Sequence, residues 1–433
     1  MVLLADPIVA ADPVVEGQAR DTLVILEDSL GSMESTHGAF LRLLRERAEG
    51  YGGRVTLKHH ESIAAKGSGF ALRRWGRWTH DSVVVLAPSL TSIGGEKASE
   101  VLGDFVESGR SAFLVGSPTM SGEVRDLAKR FGVAFHDGSA KALDLFENRG
   151  GDGEVIRATN YGGLGDTSSV LRAGTKSKPL LWSGVGAYLD PRNPLASQAV
   201  AGHSTTFCPT KKGFVSKKKG LRKFTGTDVS LVSVVQARNN ARVVVTGSLS
   251  MLSDEFMADG ETSNRELSVD VTDWVLGYKS VLRHGRIEHS LLEGMGERGE
   301  TKDRYRIKDK LAVSMKVEEW SAAKQEWLPF EGEDLQLEFT MLDPHLRKTF
   351  SKDAEGTFVA EVVAPDVYGV FKFVVDYNSL GYSYIHVEEQ VPIRPFRHDE
   401  YERFIAAAYP YYASIFSTMA AFFLFGFSVL YTK

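Results

Sequence analysis

The side chains able to do chemistry are few and scattered. The single cysteine, Cys208, is the first to consider, because a thiolate is the most reactive side-chain nucleophile near neutral pH. His203 stands close to it in sequence, but Phe207 and Pro209 flank the thiol, which favours a buried and inert sulfur. His59-His60-Glu61 offers two imidazoles, yet adjacent residues point to different faces of a strand or helix, so a solvated surface is the plainer reading than a metal site. With one cysteine, a thiolate zinc centre is impossible. Asp28 closes one strand pattern and Ser117 follows another, so both would line the carboxyl edge of a parallel sheet, where open α/β sheets bind ligands. A cleft between Asp28 and Ser117 is therefore a candidate, although Asp and Ser are also the usual helix N-caps. Lys211, Lys212, Lys217, Lys218, Lys219, Arg222 and Lys223 form a basic cluster suited to anionic headgroups or a diphosphate, or simply to a solvated loop. No Gly-Lys pair, third glycine after Gly163-Leu164-Gly165, or G-x-S-x-G elbow is present. No catalytic residue, metal or cofactor is expected.

The elements that would position these groups divide the chain. Its 433 residues suit two or three domains rather than one core. Hydrophobic residues make up 43% and charged residues 25%, which excludes collagen, long disorder and a polytopic membrane protein. The net charge of −5 creates no field that would draw in nucleic acid. Thr22–Leu26, Val55–Leu57, Ser82–Ala87, Ser111–Val115, Leu231–Val235 and Arg242–Thr246 read as strands, several of them wholly apolar. Ala39–Glu49, Glu96–Ser108 and Glu266–Leu282 place apolar residues at helical spacing. The fold class is therefore α/β, with a parallel sheet covered on both faces. Arg286–Asp303 is charged and reads as a linker. Beyond it the period changes to two: Leu335, Leu337, Phe339 and Met341 alternate with polar residues, and Phe371–Tyr377 behaves similarly. That indicates an antiparallel β-sandwich of immunoglobulin-like size. The expected division is an α/β domain over 20–285, a β-sandwich over 286–395, a juxtamembrane connection over 396–411 and a helix over 412–431.

Ala413–Leu430 is almost wholly apolar, and with its flanks it supplies the roughly 20 helical residues that a bilayer core about 30 Å thick requires. Tyr409, Tyr411 and Tyr412 at one end and Tyr431 at the other mark two membrane interfaces. Ala413, Ser417 and Ala421 repeat every four residues as a stripe on which another transmembrane helix could pack. At the other end Asp6 interrupts a short apolar start, and no secretory signal is visible. The body is then either lumenal, with a signal absent from this chain, or cytosolic on a tail anchor. Arg394, Arg397 and Arg403 lean towards the second.

Several strings resemble one family. They are Pro365–Phe373 with Val375-Asp376-Tyr377, and the run from Arg394-Pro395 through Tyr401–Ile405 to Ala408–Ser414. Gln236–Arg242, Gly247-Ser248-Leu249 and Ser253–Phe256 match as well. Thr36-His37, Gly184-Val185-Gly186 and Asp190–Pro194 add to them. The chain resembles the 48-kDa subunits of the eukaryotic oligosaccharyltransferase over roughly residues 20 to 431. The resemblance implies a non-catalytic accessory subunit of the endoplasmic reticulum, single-pass and type I, with its body in the lumen. It implies as partners a catalytic polytopic subunit, ribophorin-type subunits and a defender-against-cell-death-type subunit, and through the complex the translocon and ribosome. The complex moves a preassembled glycan from dolichyl diphosphate to Asn in Asn-x-Ser/Thr. The family normally starts with a cleaved signal peptide and carries a longer basic tail than Tyr431-Thr432-Lys433. The rival readings are a tail-anchored enzyme working at Asp28 and Ser117, and a membrane protein that binds glycan or dolichyl diphosphate in its α/β domain.

Overall fold

A computed structural model describes residues 21–65, 70–136, 140–164, 169–190, 193–209, 225–293, 299, 301–321, 324–353, 356–401 and 405–432. The basic cluster between Lys211 and Lys223 lies outside the described residues.

The N-terminal body is organised by eight strands: β1 (Thr22–Leu26), β2 (Val55–His59), β3 (Ser82–Leu86), β4 (Ser111–Val115), β5 (Asn160–Leu164), β6 (Ala196–Ala201), β7 (Ser230–Gln236) and β8 (Arg242–Thr246). They lie in the order β5-β6-β7-β8-β4-β3-β1-β2, and two short strands, Val133–Phe135 and Ala187–Leu189, join beside β7. The run β8-β4-β3-β1-β2 is parallel, while β5 to β8 pair antiparallel. The antiparallel half follows from connection length, because β7 and β8 are joined by a tight turn that leaves no room for a crossover helix. Asn240 takes φ 64° in that turn, a conformation asparagine tolerates better than most residues.

Alternation sorts the apolar strands onto two cores. Leu23, Val83, Val85 and Leu114 face Leu102 and Phe105 of α2 (Ala98–Glu107) and Val124 and Leu127 of α3 (Gly122–Arg130). Val24, Val84, Phe113 and Val244 face Phe40 of α1 (Leu30–Gly50) and Val271 and Trp274 of α4 (Asn264–Val275). Every residue of β1, β3, β4, β7 and β8 is buried, as a sheet covered on both faces requires.

Three elements differ from the sequence reading. Helix α1 starts at Leu30, well before Ala39, and bends where His37 leaves helical geometry (φ −132°, ψ 25°). The second rod begins at Gly38-Ala39, whose N–H groups donate to the Asp254 carboxylate at 3.1 and 2.7 Å, so the apolar periodicity had marked only that rod. Helix α4 stops at Val275 rather than Leu282, because Gly277 adopts φ 74° and the buried Arg242 guanidinium takes the carbonyls of Trp274, Lys279 and Ser280. The stretch read as a linker holds a strand, Glu288–Glu293, paired with Lys310–Met315. Glu288 faces outward, while Ile287 and Leu291 reach the core and His289 between them packs against Tyr305 and Phe373.

The C-terminal body is a β-sandwich, antiparallel except where Tyr305-Arg306 pairs parallel with Ile393-Arg394. One sheet contains Glu288–Glu293, Lys310–Met315, Phe358–Val363 and Ser351–Lys352. The other contains Tyr305–Arg306, Ile385–Arg394, Gly369–Tyr377, Gln336–Thr340 and Pro344–Thr349. Between them Phe339 stacks on Phe371 and Phe373 at ring separations of 4.9 and 4.7 Å. The last element, α5 (Tyr409–Tyr431), is a helix of 23 residues with no buried side chain.

Candidate functional site

The candidate chemical groups do not converge. Cys208 is buried, and desolvation pushes its thiol up to about 12, so little thiolate forms at neutral pH. His203 cannot serve it as a base. Its Nε2 lies 3.1 Å from the Arg157 carbonyl and 3.3 Å from the Thr159 N–H. His59 Nδ1 stands 3.9 Å from Glu61, while His60 Nε2 turns to the Ser89 hydroxyl at 3.3 Å. Among the described residues no group of three His, Cys, Asp or Glu is placed to hold a metal. Asp28 and Ser117 sit at the ends of β1 and β4, two strands and so about 10 Å apart. Asp28 is exposed, and the Ser117 hydroxyl accepts from the Thr119 N–H at 3.2 Å in a local turn. The helix cap nearby is Ser121, which accepts from Val124 N–H at 3.3 Å. A groove of about 400 Å³ opens elsewhere on this body, over Leu43 and Met257, with Arg42, Glu46 and Arg265 at its rim.

The most organised polar site lies between the two bodies. Strands Gly369–Tyr377 and Ile385–Arg394 form one long hairpin, and the turn joining them enters the α/β body. The Gln236 carboxamide grips that turn at both ends, accepting from Gly381 N–H at 2.9 Å and donating to the Tyr382 carbonyl. The Trp274 indole donates to the Gly381 carbonyl at 2.8 Å. Ser169 Oγ donates to the Leu380 carbonyl at 2.7 Å, and Tyr384 N–H donates to Asn240 Oδ1 at 2.6 Å. Gly381 holds φ 88°, and a Cβ there would collide with the Ser169 hydroxyl, so glycine is required. Arg242 lies beneath, its guanidinium 5.3 Å from the Trp274 ring.

The sequence reading noticed Gln236–Arg242 as a string but assigned it no role. The available signal was an amide, Gln236, closing a mostly apolar strand, where the structure buries it. Trp274 was placed on the apolar face of a helix, and nothing in the sequence announced its partner at Gly381.

Beside this clasp the α/β body buries an ionic network. Asp270 and Asp273 are almost fully buried on α4 and face Arg172 at 3.0 and 3.2 Å, with Arg47 at 3.4 Å from Asp273 and Lys279 at 3.7 Å from Asp270. Burial raises the Asp273 carboxyl and lowers the Lys279 ammonium. The network ties the segment around Arg172 and Lys279 to α4, next to the clasp.

The other end of the hairpin continues into the C-terminal helix. Arg394 holds Glu400 through two bonds of 2.6 Å, and the Arg397 N–H donates to the same carboxylate at 2.7 Å. Those bonds hold the Glu400 carboxyl down to about 2. Phe396 lies under the Arg306 guanidinium at 4.9 Å and meets Tyr401 at 5.4 Å. From Ala406 to Tyr431 the chain is apolar and helical, with none of that span buried against the rest of the protein. Helix α5 is about 35 Å long, enough to cross a hydrocarbon core. Three of its hydroxyls bond back to the helix: Ser414 donates to Tyr411 O at 2.9 Å, Ser417 to Ser414 O at 2.9 Å and Thr418 to the same oxygen at 2.7 Å. Tyr409, Tyr411 and Tyr412 fall at its start and Tyr431 at its end. Ala413, Ser417 and Ala421 fall one turn apart along it.

The chain thus consists of two clasped domains followed by one exposed helix long and apolar enough to cross a membrane. Residues 14–278 match the family profile for the OST48 N-terminal domain, and residues 293–433 match that for the OST48 middle domain. The chain belongs to the OST48 family. It is 36% identical to the dolichyl-diphosphooligosaccharide–protein glycosyltransferase 48 kDa subunit of Arabidopsis thaliana, covering 96% of this chain and 93% of that protein. The subunit of the same name from Danio rerio is 33% identical, covering 95% and 92%, and that from Drosophila melanogaster is 31% identical, covering 95% and 91%.

Proposed function

We propose that this chain is the accessory, non-catalytic 48-kDa subunit of the oligosaccharyltransferase complex in the endoplasmic reticulum membrane. The complex transfers a preassembled glycan from dolichyl diphosphate to Asn of Asn-x-Ser/Thr, and this subunit holds its assembly together. The reading is carried by one observation, the likeness to 48 kDa subunits of this complex over about 95% of the chain, and the hydrogen-bonded clasp between its two domains fits it. Such a clasp transmits position, which is what a scaffold needs.

In this reading 20–285 and 286–395 are lumenal domains, 396–411 is the connection and 412–431 is the span of a type I protein. Ala413, Ser417 and Ala421 pack against a transmembrane helix of another subunit. The partners are the catalytic polytopic subunit, ribophorin-type subunits and a defender-against-cell-death-type subunit, with the translocon and ribosome reached through them.

The test has two arms. Purified full-length chain in nanodiscs should transfer no glycan from a dolichyl-diphosphate donor to an Asn-x-Thr peptide. Depleting the chain from microsomes should lower transfer by the complex, and adding it back should restore it. Transfer by the isolated chain would overturn the non-catalytic reading. Protease protection of the body in sealed microsomes tests the lumenal orientation, and its digestion from outside would refute it.

A further inference from the structure

The end of the sandwich that faces away from the clasp is covered by exposed apolar side chains. Leu342 is 91% exposed and Tyr368 67%, and Met341, Val367 and Val370 are also exposed. These residues are scattered in sequence but meet at one rim. Thr340 pairs with Lys372, which places the Met341-Leu342 turn beside Val370. Met341 lies over Gly369. Gly369 and Val370 in turn pair with Ile393 and Pro392, the last residues before the chain leaves for the helix.

The geometry of the connection fixes what this rim faces. Through Arg394–Glu400 and Phe396–Tyr401 the chain is fastened to the sandwich as far as Tyr401. The helical turn preceding α5 starts at Ala406, five residues on. Five residues span at most about 17 Å. Tyr409, Tyr411 and Tyr412 set the start of α5 in the headgroup layer, so the rim is tethered within reach of that layer.

We infer that Met341, Leu342, Val367, Tyr368 and Val370 form a seat that rests in the lipid headgroup zone, holding the sandwich upright on the bilayer. The inference rests on α5 spanning the membrane. The occupant is lipid rather than a protein face for two reasons. Met341, Leu342, Val367 and Tyr368 are on connecting turns and Val370 is at the very end of a strand, rather than across a flat sheet face, and the tether holds them at the bilayer whatever the partners do. The charges beside them present no cationic face to lipid: Lys308 pairs with Asp366 at 3.1 Å, and Asp343, next to Leu342, is an exposed carboxylate. The apolar side chains therefore make the contact, and neutral phosphatidylcholine should suffice.

The experiment uses full-length protein in phosphatidylcholine vesicles. Leu342→Cys and Tyr368→Cys are each labelled with an environment-sensitive fluorophore, and Trp75→Cys, fully exposed on the α/β body, is the control. The native Cys208 is buried and does not compete. In floated vesicles the labels at 342 and 368 should shift to the blue, lose quenching by aqueous iodide and gain quenching by doxyl-lipid, while the label at 75 stays aqueous. Protein that floats but keeps 342 and 368 open to iodide overturns the seat and leaves the span intact. Protection seen only in the complete native complex assigns the rim to another subunit and also overturns it. Protein that does not float removes the span, and the seat with it.

Discussion

The hairpin formed by Gly369–Tyr377 and Ile385–Arg394 has two unlike ends. Its turn carries polar backbone into the α/β body, where Gln236 meets two groups and Trp274, Ser169 and Asn240 meet one each. Its open end carries Tyr368 and Val370 outward, beside Leu342 on the turn of the neighbouring strand pair, with no core to receive them. Between them run about nine residues of strand, roughly 30 Å. Burying a carbonyl or N–H requires a partner at one distance and angle, so the inner end tolerates little change. An apolar rim requires only a medium less polar than water, so many residues would serve at the outer end.

The largest expected effect breaks the outer end outright. A chain stopped after Tyr401 keeps both bodies and the clasp but loses α5. It should pass from the membrane fraction to the soluble fraction after carbonate extraction, because no other candidate span is present among the described residues. Its two bodies should still unfold together. Retention in the membrane would show that the helix is not what holds the protein there.

Next in size is the contrast between the two ends. Gly381→Val forces a β-branched residue to φ 88° and drives its Cβ into Ser169. A loss of about 3 kcal/mol or more is expected, with the single unfolding transition splitting in two. Leu342→Ser, at the far end of the same sheet, should change stability by less than about 0.5 kcal/mol, because its side chain touches little. Chemical denaturation of both variants in nanodiscs checks the pair. Equal effects would erase the distinction between the ends.

A smaller effect is expected within the membrane. Replacing Ala413, Ser417 and Ala421 together by Leu should weaken helix contact by about 1–2 kcal/mol, close to tenfold in association. Quantitative co-purification of the other subunits measures it. Undiminished recovery would show that assembly runs through the lumenal bodies alone.

Legibility from sequence follows the same division. The strands Thr22–Leu26, Ser82–Leu86, Ser111–Val115 and Arg242–Thr246 were readable because burial on both faces demands uninterrupted apolar runs. The C-terminal helix was readable because a bilayer imposes both a length and an absence of charge. The clasp was not readable. Trp274 and Gly381 are 107 residues apart and carry no shared local pattern. The end of α4 was misplaced for the same reason, since the Arg242 side chain that takes its last carbonyls comes from a strand 32 residues earlier. The kink at His37 depends on Asp254, more than 200 residues away. Local rules find elements, whereas these joints are made by long-range hydrogen bonds.

The smallest effect concerns the joint where the outer end meets the helix. Glu400 carries a carboxyl whose pKa falls from 4.5 to about 2 in the folded chain, through the Arg394 guanidinium and then the Arg397 N–H. A lowered carboxyl pKa contributes stability that is fully present above the unfolded value and is lost as pH falls through the folded value. The clamp should therefore hold unchanged from neutral pH to about 4.5 and loosen only on acidification towards 2. A spin label at Ile405→Cys reports it: restricted motion above pH 5, with mobility rising below about 4. Glu400→Gln removes the charge and should leave the label mobile at every pH, with the folded bodies unchanged. A transition centred near neutral pH would instead assign control of the joint to another group, and the Arg394–Glu400 pair would no longer be what fastens the sandwich above its helix.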